Sequence, residues 1–133
     1  MLNVLDLFSG TGELGRAFGQ ALEWHGLRSR TVAYCERERY PQGILLSRQL
    51  KGEIDPAPIS TDVCQLTGPG LLEATGLARI HAFIGGFPCQ DLSVAGKGAG
   101  LAGKRSGLFY EIIRLAGELQ PDFIGLENVS AIT

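Results

Sequence analysis

Short apolar runs alternate along the chain with amphipathic stretches. "NVLDLF" has the length of a strand, and "GTGELGRAFGQALEWHG" then spaces Leu14, Ala17, Phe18, Ala21 and Leu22 at i, i+3, i+4, i+7 and i+8 before Gly26. The period changes from strand to helix across a glycine turn. "RTVAYCE" is β-rich and ends on Glu36, and "YPQGILLSRQL" carries Pro41 near a helix start among good helix formers. Pro56 and Pro58 break "EIDPAPISTDV" into a loop, with a short strand ending near Asp62. "GPGLLEATGL" reads as a short helix and "ARIHAFIGG" as an apolar strand. "GLFYEIIRLAGELQ" is a helix with Leu108, Ile112, Leu115, Ala116 and Leu119 along one face, closed by Pro121, and "DFIGLEN" is a fifth strand.

Strands separated by helices point to a doubly wound, mainly parallel α/β sheet, because parallel neighbours need crossover connections. The chain ends six residues after Glu127, with no helix to cover the fifth strand, so the sheet is expected to be incomplete at its C-terminal side. The whole length, 133 residues, fits one domain. No internal repeat and no low-complexity linker interrupts it.

Composition narrows the function classes. Apolar residues make up 44% and charged residues 20%, a globular balance, and no window reaches the roughly 18 consecutive apolar residues of a membrane span. "MLNVLDLFSG" has no basic leader, so a cytoplasmic setting without membrane partners is expected. Cys35, Cys64 and Cys89 lack CxxC spacing and His25 and His81 are far apart, which argues against a metal site or a disulfide framework. Net charge is −2, unlike a broad nucleic-acid clamp. The balance is locally different: Lys97, Lys104 and Arg105 lie in a stretch from Ser93 to Tyr110 that holds no acid. That stretch is either a solvated basic loop or a surface for phosphate.

The unusual residues fall at the predicted carboxyl ends of the strands, where open α/β sheets bind ligands. Phe8 to Gly12 follow strand one, Glu36 ends strand two, Asp62 ends strand three, Pro88 and Cys89 follow strand four, and Glu127 and Asn128 end strand five. "GTGELG" matches G-x-G-x-x-G between a strand and a helix, and Glu36 at the next strand end suits ribose hydroxyls. An NAD-binding oxidoreductase is therefore one reading. Glu13 stands where a pyrophosphate would lie and favours an adenosine cofactor without phosphate. A lone cysteine is usually buried filler, but Gly85, Gly86 and Pro88 before Cys89, and Gln90, Asp91 and Ser93 after it, favour an accessible thiol. Glu127 caps an apolar strand, or is a partly desolvated carboxyl suited to proton donation.

In order and approximate spacing, "DLFSGTG", "PCQ" inside "GGFPCQDLSVAG", "RSGLF" and "ENV" resemble the DNA (cytosine-5) methyltransferases from Asp6 to Val129. The resemblance implies a Rossmann-like fold that uses S-adenosylmethionine. Phe8, Gly10 and Gly12 would line the cofactor pocket, Glu36 would hold the ribose, Asp62 would face the adenine and Pro88 would help close the methionine end. It further implies that the Cys89 thiolate adds to C6 of a flipped-out cytosine, so that C5 attacks the methyl group while Glu127 stabilises charge at N3. Loss of the C5 proton then expels Cys89. Gln90, Ser93, Lys97, Lys104 and Arg105 would contact DNA. Two departures stand out: Glu13 replaces a glycine common in the family, and no Q-x-R-x-R segment, target recognition region or returning C-terminal segment is present. Residues 1–133 are thus expected to be the N-terminal catalytic portion of a prokaryotic or phage enzyme, inactive until the remainder is supplied, in one form by a second polypeptide. An RNA cytosine-5 methyltransferase would share these motifs, and a non-catalytic cofactor-binding remnant is a further reading that intact Cys89 and Glu127 oppose.

Overall fold

The structure, a computed structural model, describes residues 1–88 and 106–129. Cys89, Gln90, Ser93, Lys97, Lys104 and Arg105 lie outside the described residues. The elements run β1 (Leu2–Leu7), α1 (Glu13–Trp24), β2 (Ser29–Cys35), α2 (Arg39–Leu50), β3 (Ile59–Ser60), α3 (Gly68–Thr75), β4 (Ala82–Pro88), α4 (Ser106–Leu119) and β5 (Phe123–Val129). The strands form one parallel sheet in the order β3-β2-β1-β4-β5. The chain winds outward from β1 through β2 to β3, then crosses back to β4 and β5. The direction reverses between β1 and β4, and the crevice beyond the strand ends at such a point is where doubly wound sheets bind ligands.

Strand alternation divides the core between the two faces. Leu5, Leu7, Ala33, Cys35 and Phe83 pack with Val63, Leu71, Ile112, Leu115 and Leu119, placing α3 and α4 on one face. On the other, Val4, Ala82 and Ile84 meet Leu14 and Phe18 of α1, while Tyr34 meets Leu45 of α2 and Ile54. β2 carries one extra residue, Val32, because Val4 pairs with Thr31 and Leu5 with Ala33. The sheet is helix-covered on both faces over its centre.

The helix α1 sits differently from its periodic stripe. Ala17 and Ala21 are exposed, Leu14, Phe18 and Leu22 are half-buried, and the buried residue of the helix is Gly15. A Cβ on Gly15 would lie 2.5 Å from the Asp6 carboxylate, and one on Gly19 3.5 Å from the Ser29 hydroxyl. Missing side chains let α1 approach the sheet along its glycine edge, which turns the two alanines outward. The α4 stripe is as the sequence predicts, with Ile112, Leu115 and Leu119 buried. α3 is capped by Thr67, whose hydroxyl accepts from Gly70 N at 3.1 Å, and is ended by Gly76 in the left-handed region at φ 68°.

β5 stands at one edge of the sheet, and Phe123, Ile124 and Leu126 on it are 51%, 41% and 38% exposed. Among the described residues the cover over this strand is partial: Phe18 of α1 stacks on Phe123 at 5.6 Å. That agrees with the expected gap in helical cover beyond the fifth strand.

Candidate functional site

Register fixes which residues share the carboxyl edge of the sheet. Leu7 pairs with Cys35 on one side and Gly85 on the other, and Gly85 pairs with Leu126. Phe8, Glu36, Gly86 and Glu127 therefore follow in one row, Pro88 lies opposite Val129, and Asp62 stands two residues beyond Ser60, the partner of Cys35. Six of the residues that the sequence singles out, Phe8, Gly10, Gly12, Glu36, Asp62 and Glu127, thus meet at one edge with the backbone of Pro88.

The turn after β1 departs from ordinary backbone. Phe8 has φ 51°, Gly10 56° and Gly12 83°, all left-handed, so the chain reverses tightly between strand and helix. Glycine adopts that region without strain; phenylalanine does so at a cost of about 1–3 kcal/mol that the surroundings must offset. Part of the offset is visible. Ser9 donates its hydroxyl to Asp6 O at 2.7 Å and receives Cys35 N at 3.2 Å, tying the turn to β2. Glu36, buried at the end of β2, accepts Gly10 N through Oε1 and Glu38 N through Oε2, both at 2.7 Å. Its carboxylate joins the glycine turn to the start of α2, and each oxygen keeps acceptor capacity beyond its one bond. Arg48 of α2 completes the clamp, donating to Thr11 O and to Glu13, each at 3.0 Å. Glu13 enters the turn already ion-paired.

Asp62 is exposed, and its Oδ1 accepts Cys64 N at 2.9 Å, an Asx turn that turns the chain toward α3. Glu127 is also exposed, on the edge strand β5, which among the described residues is covered only in part. Gly85 serves differently from the freedom its sequence suggests. It holds a regular strand position, and a Cβ there would lie 2.8 Å from Leu7 O, so its bare backbone lets β4 run close against β1.

Three contributors escape sequence reading. Asp6 is 1% exposed inside β1, and its Oδ2 has no hydrogen-bond partner. Burial, and to a lesser extent the Glu36 charge, raises its carboxyl to about 7. A charge in the middle of "NVLDLF" is the signal that could have marked it. Ser9 is the second, legible only as a polar residue in the turn. Arg114 of α4 is the third, bonded to both Val63 O and Leu66 O, and its flanking Glu111 and Glu118 at i−3 and i+4 were a visible charge pattern. Cys35 is 3% exposed, and burial pushes its thiol up to about 12, which disfavours it as a nucleophile.

A cavity of about 590 Å³ lies between α1, β2 and the turn at residues 52–56. It shares Gly12 alone with the expected cofactor residues and is lined on one side by Ser29 and Arg30 at the start of β2. The edge where the strands end is the better site on topological grounds.

The C-5 cytosine-specific DNA methylase family model matches residues 2–133. Type II methyltransferase M.HgiCI of Herpetosiphon aurantiacus is 29% identical over all of this chain, and M.XorII of Xanthomonas oryzae is 35% identical over 97% of it. The orphan methyltransferase M.SPRI of Bacillus phage SPR is 28% identical over 98%. The chain spans only 28%, 28% and 27% of these three relatives. The parallel sheet is accordingly a Rossmann-like methyltransferase fold covering the N-terminal part of the family. The chain belongs to the C-5 cytosine-specific DNA methylase family.

Proposed function

We propose that residues 1–133 are the nucleophile-bearing and cofactor-binding portion of a DNA (cytosine-5) methyltransferase that takes its methyl group from S-adenosylmethionine. The observation that carries this reading is the row of Phe8, Glu36 and Glu127 at one sheet edge, reached by the backbone of Pro88 immediately before Cys89. The residues fit the cofactor chemically. Gly10 and Gly12 give bare, left-handed backbone, and nothing lies within 4 Å of where a Gly10 Cβ would be. Glu36 and Asp62 offer acceptor oxygens for ribose hydroxyls and for the adenine amino group. When bound, S-adenosylmethionine supplies an electrophilic methyl group.

The residues of this chain do the rest. Cys89, as thiolate, forms a bond to C6 of cytosine, and the ring electrons shift toward C5 and N3. Glu127 donates a proton or hydrogen bond at N3, where negative charge collects. After C5 is methylated, loss of its proton restores the C5–C6 double bond and releases Cys89. Gln90, Ser93, Lys97, Lys104 and Arg105 contact the DNA from which the base is flipped, with the lysines and arginine meeting phosphate. The exposed apolar residues of β5 support a division in which the remaining catalytic and recognition segments, in the same or a second polypeptide, pack over that edge. The bacterial and phage sources of the relatives favour a prokaryotic setting inside the cell.

The test is methyl transfer to cytosine in duplex DNA with the C-terminal part of a relative such as M.XorII supplied in trans. Transfer that appears only in the mixture, and that vanishes with Cys89→Ser while S-adenosylmethionine binding persists, is the expected result. Transfer surviving Cys89→Ser contradicts the nucleophile, and transfer to RNA in preference to DNA contradicts the substrate.

A further inference from the structure

The adenosine side of the proposed site has a weak foundation in the sheet itself. β3 is two residues long and pairs through Ile59 and Ser60 alone, so strand pairing stops before Asp62. Asp62 then begins a turn in which Gln65 N donates to Asp62 O at 3.1 Å and Leu66 N to Val63 O at 3.3 Å. Short turns of this kind on a two-residue strand do not fix a side chain without outside support.

That support comes from one turn of α4. Arg114 Nη2 donates to Val63 O at 3.0 Å and to Leu66 O at 2.8 Å, closing the turn across 51 and 48 residues of sequence. The same guanidinium is held in orientation by Glu111 Oε2, which accepts from Nε at 2.7 Å, and Glu118 Oε2, which accepts from Nη1 at 3.0 Å. Glu118 uses its other oxygen to accept Gly68 N at 2.6 Å, the first residue of α3. Hydrogen bonding from Gly68, followed by Arg114, holds the Glu118 carboxyl below its ordinary range. The backbone from Val63 to Gly68 is therefore gripped by two side chains one helical turn apart, and both are about a third exposed. Core packing at Val63 and Leu71 would by itself seat the turn against α4. The fork on two carbonyls adds direction, which a single apolar contact lacks.

We propose that Arg114 is a positioning residue for cofactor binding: by gripping Val63 and Leu66 it sets Asp62 at the adenosine end of the site. The inference rests on the reading of Asp62 as the adenine contact. It also ties the two halves of the reaction together, because α4 is the helix that follows the segment carrying Cys89. An arginine acting only on stability would lower the melting temperature and leave the affinity of the folded chain unchanged.

A double-mutant cycle on S-adenosylmethionine affinity, read by calorimetry on the 133-residue chain with melting temperatures alongside, separates these roles. The expected result is that Arg114→Met weakens binding roughly five- to tenfold, that Arg114→Lys recovers part of the loss, and that Arg114→Met adds nothing in an Asp62→Ala background. Should Arg114→Met fail to fold, the same cycle is read with Arg114→Lys, whose single nitrogen cannot meet the Val63 and Leu66 carbonyls and the Glu111 and Glu118 carboxylates together as the three guanidinium nitrogens do. Unchanged affinity, or a loss additive with that of Asp62→Ala, overturns the inference and leaves the methyltransferase reading standing. Wild-type chain that binds NAD instead, or neither cofactor, removes the site to be positioned and overturns the inference from the other direction.

Discussion

Asp6 keeps its proton to a higher pH than an ordinary aspartate. Its carboxyl, raised to about 7 from an ordinary 3.8 chiefly by burial, lies under Gly15 with Oδ2 unpartnered. The folded chain thus keeps the proton over a pH window in which the unfolded chain gives it up. The stabilisation is complete below about pH 4 and is lost as pH rises through 7. Glu118, whose carboxyl is lowered, acts in the opposite sense, its share being lost as pH falls. Asp6→Asn removes the first effect alone, so urea unfolding between about pH 5 and 8 should show a flatter decline in stability than wild type. An unchanged slope would mean that Asp6 is ionised throughout. Gly15 is the companion position. A methyl there meets the Asp6 carboxylate at 2.5 Å, so Gly15→Ala should cost about 1–3 kcal/mol despite the gain in helix propensity, measured by the same unfolding experiment.

Elements were legible in proportion to how local their causes are. The α4 stripe and the β4 and β5 runs follow from periodicity, and the doubly wound order from strand–helix alternation; four strands are where the apolar runs place them within a few residues, and the short third strand, expected to end near Asp62, ends at Ser60. The site row was legible because acids and glycines at strand ends break an otherwise apolar pattern. What escaped depends on distant contacts. The rotation of α1 is set by Asp6 and Ser29 beneath Gly15 and Gly19, the need for Gly85 by a carbonyl on another strand, and the role of Arg114 by carbonyls 51 and 48 residues away. The two readings of Glu127 stayed open in the sequence because desolvation belongs to whatever packs over a residue and not to its neighbours in sequence. Two substitutions test the element-level account by thermal or urea unfolding. Leu115→Ala, at a position 0% exposed, should cost about 2–5 kcal/mol. Gly85→Ala should cost about 1–3 kcal/mol, since Leu7 O is backbone and cannot step aside as a side chain would. A neutral outcome for Gly85→Ala would show that β1 and β4 are not tightly seated.

At the scale of the whole molecule, two facts belong together: β5 exposes Phe123, Ile124 and Leu126, and the chain spans little more than a quarter of the three relatives compared. An apolar edge strand is a template for further pairing. The 133-residue chain should therefore self-associate in sedimentation equilibrium, and Ile124→Lys should reduce that association while leaving the melting temperature nearly unchanged; association untouched by the substitution would place the sticky surface elsewhere. The central claim is that the glycine turn and Glu36 form a pocket for a methyl donor and not for a dinucleotide, since both share the same strand–turn–helix beginning. Calorimetric titration of the chain with S-adenosylmethionine and, separately, with NAD decides it, with Glu36→Ala as the control. Heat from S-adenosylmethionine alone, with affinity reduced about tenfold or more by Glu36→Ala, is the predicted result. Binding of NAD in its place would contradict the account.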